Sequence, residues 1–552
     1  MIMKLSTISQ FSRNAPRFKE IVGTFVKYGL ANWIKENDPQ FIKDFLRSNQ
    51  GHSITEMRPE VRLRIALTEL GTTFIKLGQI LSTRADLVGP LMAEELGKLQ
   101  AEVPPDDESV VRKTVESELG KPIEVLFAEF DLKAMGSASI GQVHRAKLHS
   151  GEIVVVKVQH AGIEPKIIND LEILKVLAEM AERYDPDLRF YQPRATVADF
   201  NRNLLRELDF RREQRSLRQF QQNFADNDGV HIPGTYPEFS SQRVLTMEML
   251  NGFSVAKTDR LAEEEIDTQE FVHRAANMYL EMVFRDRFFH ADPHPGNIWA
   301  LDDGKLGLLD CGMTGRLDSE MREELEGMLL AAVDNDPDRL TDHVYRIATV
   351  PQSSNRNDLR RDIDDFLTEY VNISINDLDL SATLDTFTDI LRTHHILLPA
   401  GISLLIRVLV MLEGTSRLLD RNFSLAELIQ PYAVKSVQRR YSPEKLLQQA
   451  KHTYRDWDRV LKILPREIFE MLIRIREGRF DVSIEHRRLE KVVKWLVHGI
   501  LSAALFLGGS MIFSQEIGPL VGGISVIGAV ASILGLLLGY RLIHAMKKSD
   551  DV

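Results

Sequence analysis

The segment Phe289-His290-Ala291-Asp292-Pro293-His294-Pro295-Gly296-Asn297 is followed, one predicted strand later, by Leu309-Asp310-Cys311-Gly312. This order constrains the fold more than any other feature, because it is useful only if two loops joined by a strand converge on one point. An Asp that orients a nucleophile, an Asn shortly after it that holds a metal, and an Asp beyond the next strand that holds a bridging Mg²⁺ form a constellation for phosphoryl transfer. Asp292, Asn297 and Asp310 fit those three roles in order.

The rest of a nucleotide site should lie upstream. Gly151-Glu152-Ile153-Val154-Val155-Val156-Lys157-Val158 reads as a β-branched strand entered from a turn, with Lys157 placed to touch the α- and β-phosphates. Its ammonium needs an acidic partner, and Arg206-Glu207-Leu208-Asp209-Phe210-Arg211-Arg212-Glu213 offers Glu207, Asp209 and Glu213 on what reads as one helical stretch. At about 100° per residue the three acids point in different directions, so one helix can serve more than one partner. A loop over the phosphates should precede Lys157, and Met135-Gly136-Ser137-Ala138-Ser139-Ile140-Gly141-Gln142-Val143-His144 occupies that place. Ser137, Ala138, Ser139, Gly141, Gln142 and Val143 are its candidate phosphate contacts. Small side chains let backbone N–H groups approach phosphate, but Ala and Ser take positive φ less cheaply than Gly, so a stiff loop is expected. Leu245 to Gly252 reads as a strand and hinge, where the backbone of Glu248 and Met249 would accept and donate hydrogen bonds to adenine.

Taken singly, each signal has an ordinary reading. A lone lysine ending a strand is usually a surface residue, and an Ala/Ser loop is usually only a loop. His290 and His294 beside Asp292 could suggest zinc, but no further Cys or His at ligand spacing accompanies them. His290 is better read as a brace beneath the catalytic loop. Cys311, the single cysteine, excludes an intramolecular disulfide and reads as a small filler beside the metal site, a redox role being the lesser reading. The ordered conjunction of the motifs carries the weight.

With Phe74-Ile75-Lys76-Leu77-Gly78-Gln79 added, the chain resembles the UbiB (AarF) family of atypical kinase-like proteins. The resemblance rests on Lys-x-Gly-Gln, the loop ending Ser-Ile-Gly-Gln-Val-His, Glu-x-Asp, and His-x-Asp-x-x-x-x-Asn, in that order, and is strong over about residues 60 to 320. It implies an α+β, two-lobed protein-kinase-like fold with a helical N-terminal extension and a C-terminal transmembrane helical hairpin. It also implies that Lys76 faces Glu207 and Asp209, that Glu213 pairs with Lys157, and that the Lys-x-Gly-Gln helix covers the site where a protein kinase would bind a peptide. The implied cofactors are ATP and Mg²⁺, and the implied activity is ATP hydrolysis in support of ubiquinone biosynthesis, with no phosphorylation of proteins in trans. A small-molecule or lipid kinase and a nucleotide-gated scaffold are the alternatives. Two departures stand out: the loop reads Gly-Ser-Ala-Ser rather than a run of alanines, and Cys311 replaces the Phe of Asp-Phe-Gly.

Composition agrees with a large folded chain: 552 residues, 44% hydrophobic and 27% charged. Charge is uneven, with 16 Lys and Arg against 9 acids from Lys435 to Lys494 in a chain of net charge −11. A basic segment before an apolar one suits an anionic membrane surface, whereas the acidic bulk of the chain opposes nucleic acid. Trp495 to Phe513 (19 residues) and Leu520 to Tyr540 (21 residues) contain no Asp, Glu, Lys or Arg. Each is long enough to cross a hydrocarbon core of roughly 30 Å. Gly508, Gly509, Gly522, Gly523, Gly535 and Gly539 offer small faces for packing the two spans, and flanking lysines place both ends in the cytoplasm.

The expected divisions are 1–55, short surface helices; 56–130, the helical extension; 131–250, a small lobe; 251–425, a helical lobe; 426–494, basic connecting helices; and 495–545, the hairpin. Met1 to Lys19 has four basic residues and no acid, which is compatible with a mitochondrial leader, but it runs into an ordinary amphipathic helix. The expectation is a bacterial protein at the inner membrane, its body in the cytoplasm. Membrane lipids, quinone precursors and other quinone-biosynthesis enzymes are the expected partners, with a homodimer left open.

Overall fold

The computed structural model describes residues 5–29, 57–99, 103–184, 192–264, 266–351, 354–371, 373, 378–440, 489–515, 518–521 and 524–550. The chain divides into two units, Met1–Ser442 and Pro443–Val552. Most of the expected basic connecting segment, 441–488, lies outside the described residues.

The first unit opens with α1 (Leu5–Lys27), one helix that runs through Pro16. Surface helices were expected here, yet Phe18, Ile21 and Val22 are buried in the main core. The reason is an ion pair that no local pattern announces. Arg17 donates from Nε to Asp170 Oδ1 (2.8 Å), and from Nη2 to Asp170 Oδ2 (3.0 Å) and the Leu70 carbonyl (2.7 Å). The Asp170 side chain is fully buried. Removing one partner of a buried pair leaves the other charge stranded, so Asp170→Ala should lower unfolding free energy by about 3 kcal/mol in a denaturant titration. A change under about 0.5 kcal/mol, typical of surface substitutions, would show that α1 is only loosely held.

Helices α2 (Pro59–Leu70), α3 (Thr72–Leu81), α4 (Ala85–Val88), α5 (Pro90–Gly97) and α6 (Glu108–Leu119) follow. Gly71 breaks α2 from α3 at φ +88°, a conformation that glycine takes without a Cβ penalty. The sheet comes next, with strands β1 (Glu129–Phe130), β2 (Gly136–Ser137), β3 (Gly141–Lys147) and β4 (Ile153–Gln159). Beyond them stand α7 (Ile163–Tyr184), α8 (Pro193–Glu207) and α9 (Phe210–Asn223), then β5 (Val230–His231), β6 (Val244–Glu248) and β7 (Gly252–Ser254). Strands run β1-β3-β4-β6 with β2 on β3, all antiparallel, and Lys157 lies opposite Val143 on one side and Leu245 on the other. Successive side chains of β4 alternate between faces. Val154, Val156 and Val158 are fully buried in a small core with Val111 and Val115 of α6, which turns Lys157 to the opposite face.

The helical part begins with α10 (Thr268–Leu280), which continues as a π-helical turn, Glu281–Asp286, into β8 (Phe288–His290). Strands β9 (Ile298–Leu301) and β10 (Leu306–Leu308) complete a second sheet of order β5-β10-β9-β7, while β11 (Thr314–Arg316) pairs antiparallel with β8. The pairing of β8 with β11 folds the segment carrying Asp310 back beside the loop carrying Asp292. Helices α11 (Ser319–Val333), α12 (Pro337–Ile347), α13 (Arg356–Val371), α14 (Leu380–Thr393), α15 (Ala400–Leu419) and α16 (Leu425–Arg440) follow. Helix α15 packs on α10 and β11, and α14 packs on α4 and α5.

The described part of the second unit contains a pair of packed helices, α17 (Leu489–Ser514) and α18 (Val526–Asp550). The sequence suggested an apolar helix from Leu520. Instead Leu520–Val521 and Ile524–Ser525 form a small antiparallel pair, so the apolar part of the second helix is shorter, Val526–Arg541. Val521 and Ile524 are β-branched, which suits an extended pair. Among the described residues one helix, Leu496–Ser514, is long and apolar enough to cross a membrane. Small residues bring the two helices together. A Cβ at Gly509 would lie 2.6 Å from Ser532 N, and one at Gly535 2.7 Å from Phe506 N. Ser502 Oγ donates to the Gly535 carbonyl (2.8 Å). Gly539 and Gly528 also belong to this contact, but a Cβ at Gly508 meets nothing, so that residue is not part of it. Gly522 and Gly523 lie outside the described residues.

Candidate active site

Lys157 reaches across to α9, where its Nζ donates to Glu213 Oε2 (2.9 Å) and Oε1 (3.1 Å), and it also contacts Asp310 Oδ1 (3.3 Å). The ammonium also stands 5.3 Å from the centre of the Phe210 ring. Burial opposes its charge, but Asp310 and Glu213 more than compensate and hold its pKa far above the usual lysine value. The Asp310 side chain opens onto the cleft at 58% exposure. On its protein side it faces cations, Lys157 foremost and Lys76 with it, and these overcome burial to hold its carboxyl far below the usual range. Glu213 behaves oppositely: burial raises its carboxyl although Lys157 pulls it down.

Asp310 adopts φ +50°, a left-handed backbone that Asp tolerates better than most residues. His290, fully buried, stabilises that turn. Its Nε2 lies 3.0 Å from the Asp310 carbonyl, which can only accept, so Nε2 carries the proton. Nδ1 is then the acceptor for the Asp292 N–H and the Tyr279 hydroxyl, both at 3.3 Å. One imidazole therefore ties together the two loops that bear the carboxylates. Asn297 Nδ2 donates to Asp292 Oδ2 (3.0 Å) and to its carbonyl (3.1 Å), which fixes the carboxylate and leaves the amide oxygen out of these bonds. Asp310 and Asn297 thus fit a magnesium ion, which takes few protein oxygens and completes its shell with phosphate and water. Cys311 is fully buried and its thiol is pushed well up by desolvation, as a filler's would be.

Lys76 forms an ion pair with Glu207 at the end of α8. Burial works against its ammonium, but Glu207 and then Asp310 outweigh it, so its pKa is raised. The neighbouring motif residues explain the geometry. A Cβ at Gly78 would lie 2.2 Å from Leu99 Cδ1, and Gln79 Nε2 donates to the Leu99 carbonyl (2.9 Å). Glycine and glutamine thus seat the helix, and lysine points from it to the acid.

Asp209 is not part of this pairing, contrary to the expectation. The stretch 206–213 is not one helix: α8 ends at Glu207 and α9 begins at Phe210, with Asp209 as the N-cap between them. Its carboxylate accepts from Arg211 N (3.2 Å) and Arg211 Nε (2.7 Å). A short acidic side chain beside free helix N–H groups caps them locally rather than reaching for a distant lysine.

The phosphate loop also differs in detail. Ala138 N–H is donated to the Gly141 carbonyl (2.8 Å), and Ser137 and Val143 are paired within the β2–β3 ladder. Gln142 is fully buried, its Oε1 accepting from Asp106 N (3.1 Å). The N–H groups of Ser139 and Ile140 have no partner among the described residues, and both residues are buried. Gly141 is required by packing, since a Cβ there would lie 2.6 Å from the Val158 carbonyl. His160 and Asp106, which the sequence reading missed, hold the loop from beneath: His160 Nε2 meets the Ala138 carbonyl (3.1 Å) and Nδ1 meets Asp106 Oδ1 (3.1 Å). At the hinge, the Glu248 N–H is donated to the Gly234 carbonyl (2.8 Å) and the Met249 N–H to that of Ile153 (3.3 Å). Neither N–H is free for adenine, so only carbonyls remain as contacts at these two positions, and the Glu248 carboxylate is engaged by His231 (3.0 Å).

A buried strand lysine paired to a helix glutamate, beside an Asp/Asn loop and a turn carrying a second Asp, defines a kinase-like site. The chain matches the ABC1 atypical kinase-like domain over residues 98–344, the UbiB helical domain over 363–424 and the ABC1/UbiB kinase-like C-terminal domain over 483–548. It belongs to the ABC1/UbiB family. It is 29% identical over 547 residues, 97% of this chain and 99% of the other, to the "uncharacterized protein in hydrogenase 1 5'region" of Clostridium pasteurianum. It is 31% identical over 382 residues, 69% of this chain and 68% of the other, to the "uncharacterized protein slr1919" of Synechocystis sp.. Among solved structures, the Rv3197–erythromycin complex from Mycobacterium tuberculosis matches with a TM-score of 0.43 at 22% identity, over 57% of this chain and 80% of that one.

Proposed function

We propose that the protein is a membrane-anchored, Mg²⁺-dependent ATPase with two kinase-like lobes and a C-terminal transmembrane hairpin, supporting isoprenoid-quinone (ubiquinone) biosynthesis at a bacterial cytoplasmic membrane. The observation that carries the catalytic part is the contact of Lys157 with both Glu213 and Asp310, at 2.9 and 3.3 Å. Lys157 would bind phosphate oxygens, while Asp292, fixed by Asn297, orients water and takes its proton as the terminal phosphoryl group is transferred. Asn297 and Asp310 would hold Mg²⁺, which when bound neutralises phosphate charge. The Lys76–Glu207 pair favours water over a protein acceptor, because it keeps the Lys-x-Gly-Gln helix in place. Family membership supports the quinone role. Support for the anchor comes from the outward apolar residues of the helix pair, Leu496, Ile500, Leu507, Leu536 and Tyr540, all at least 60% exposed.

Equilibrium binding of ATP to the purified protein, with and without Mg²⁺, tests the nucleotide part. Binding should require the metal, and Lys157→Met should weaken it at least about tenfold, the effect of losing one charge-assisted hydrogen bond. Equal binding by the variant would remove the assignment. For the anchor, truncation after residue 490 should release the protein from membranes in part, with the remainder detached by salt because screened charge holds it. Solubility of the intact chain without detergent would overturn this part.

A further inference from the structure

A second cavity, of about 380 Å³, opens between α4 and α5 on one side and α14 and α15 on the other. Its wall is largely aliphatic, with Leu398, Ile406, Val410 and Met411, and Leu91 stands 64% exposed at its edge. Among the polar side chains of the wall, two on α15 stand out, Ser403 and Arg407. Four residues apart, they share one face of the helix. Ser403 is 5% exposed, and its hydroxyl has no hydrogen-bond partner among the described residues. Arg407, half-buried, has no hydrogen bond or ion pair among them either, and burial pushes its guanidinium below the usual arginine pKa. Other hydroxyls of the wall are satisfied within their own helices or turns, those of Ser82, Thr83 and Thr388 by the carbonyls of Gln79, Ile80 and Leu384. The acids of the wall are otherwise engaged: Asp86 accepts from Arg84 (2.9 and 2.7 Å), Glu94 pairs with Lys98 (3.5 Å), and the Asp385 carboxyl is held up by burial and by Asp389, Asp379 and Glu94, with no ion pair to Arg407.

We propose that this cavity is a binding site for an amphipathic small-molecule anion, its carboxylate or equivalent head on Arg407 and Ser403 and its apolar body along Ile406, Val410 and Met411. A pocket of this size, mainly apolar with a few converging donors, matches what such ligands require. The buried Ser403 hydroxyl left without an acceptor costs stability, and an anionic head supplies acceptors to it and to the half-buried Arg407 guanidinium. The lining of this cavity shares no residue with the first site.

Calorimetric titration of the full chain in phosphatidylcholine nanodiscs, with empty discs as blank, tests this using three isosteres: 4-pentylbenzoate, 4-pentylbenzyl alcohol and 4-pentylbenzylamine. The benzoate should bind at least about tenfold more tightly than the alcohol, one charge-assisted bond's difference, and the amine most weakly. Arg407→Gln should remove that preference and leave alcohol binding unchanged, while Val410→Trp should abolish binding of both by filling the cavity. Equal affinity for all three, preference for the amine, no binding, or an unchanged preference in Arg407→Gln would overturn the proposal. The isostere comparison in the unsubstituted protein decides even if Arg407→Gln does not fold. No nucleotide is present, so the result is independent of whether the protein hydrolyses ATP.

Discussion

Asp310→Asn is expected to lower Mg²⁺-dependent ATP turnover by about two to three orders of magnitude, the usual cost of losing a group that stabilises charge in a transition state. The substitution keeps the shape but removes the charge that would compensate the metal. It also removes the anion nearest Lys157 on the cleft side, leaving Glu213 at 2.9 Å as that lysine's remaining partner. Because Glu213 stays in place and Asp310 is the more exposed acid, the fold should persist, read as an unchanged circular dichroism spectrum. Turnover equal to the unsubstituted protein would contradict the metal assignment. Cys311→Ala is the control: it should leave turnover intact, since the thiol is buried and touches no reacting group.

Lys76→Ala should have the second-largest effect. The Lys76 and Glu207 side chains are 14% and 21% exposed, so truncating the lysine leaves a carboxylate largely cut off from water. Breaking such a pair costs about 3–5 kcal/mol when both charges are fully buried, and somewhat less here. The protein can escape that cost by letting α3 move off α8. Nucleotide selectivity should then change and autophosphorylation appear, measured with labelled ATP followed by gel autoradiography. The double variant Lys76→Ala, Glu207→Ala should recover much of the stability, because no stranded charge remains, and the cycle of single and double variants gives the coupling. Robust phosphorylation of a generic protein by the unsubstituted chain would contradict the gating role.

The elements legible in the sequence are those whose cause is local. Alternation along Ile153–Gln159 fixes which face Lys157 takes, and the spacing of Asp292, Asn297 and Asp310 around β9 and β10 brings those loops together. Gly78 and Gln79 were legible as a motif but not as a mechanism, since their partner Leu99 is known only once α3 and α5 pack. Where local competition decides, the reading fails. Asp209 looks like a second acid for Lys76 until the cap at α9 takes it, and Leu520 looks helical until a strand pair intervenes. Long-range pairs were invisible altogether: Arg17 with Asp170, and His160 with Asp106. Nothing in the periodicity of either segment names its partner. The same holds for Arg407, which has no hydrogen bond or ion pair among the described residues.

The most direct measurement of the central claim follows the label of γ-labelled ATP incubated with the full-length protein, Mg²⁺, anionic liposomes and quinone-precursor mimics. The account predicts label released as free inorganic phosphate, at a rate that the liposomes raise and that Asp310→Asn and Asp292→Asn each reduce at least about a hundredfold. Label appearing on a lipid, a small molecule or a protein in place of free phosphate, or release unaffected by both substitutions, would contradict it.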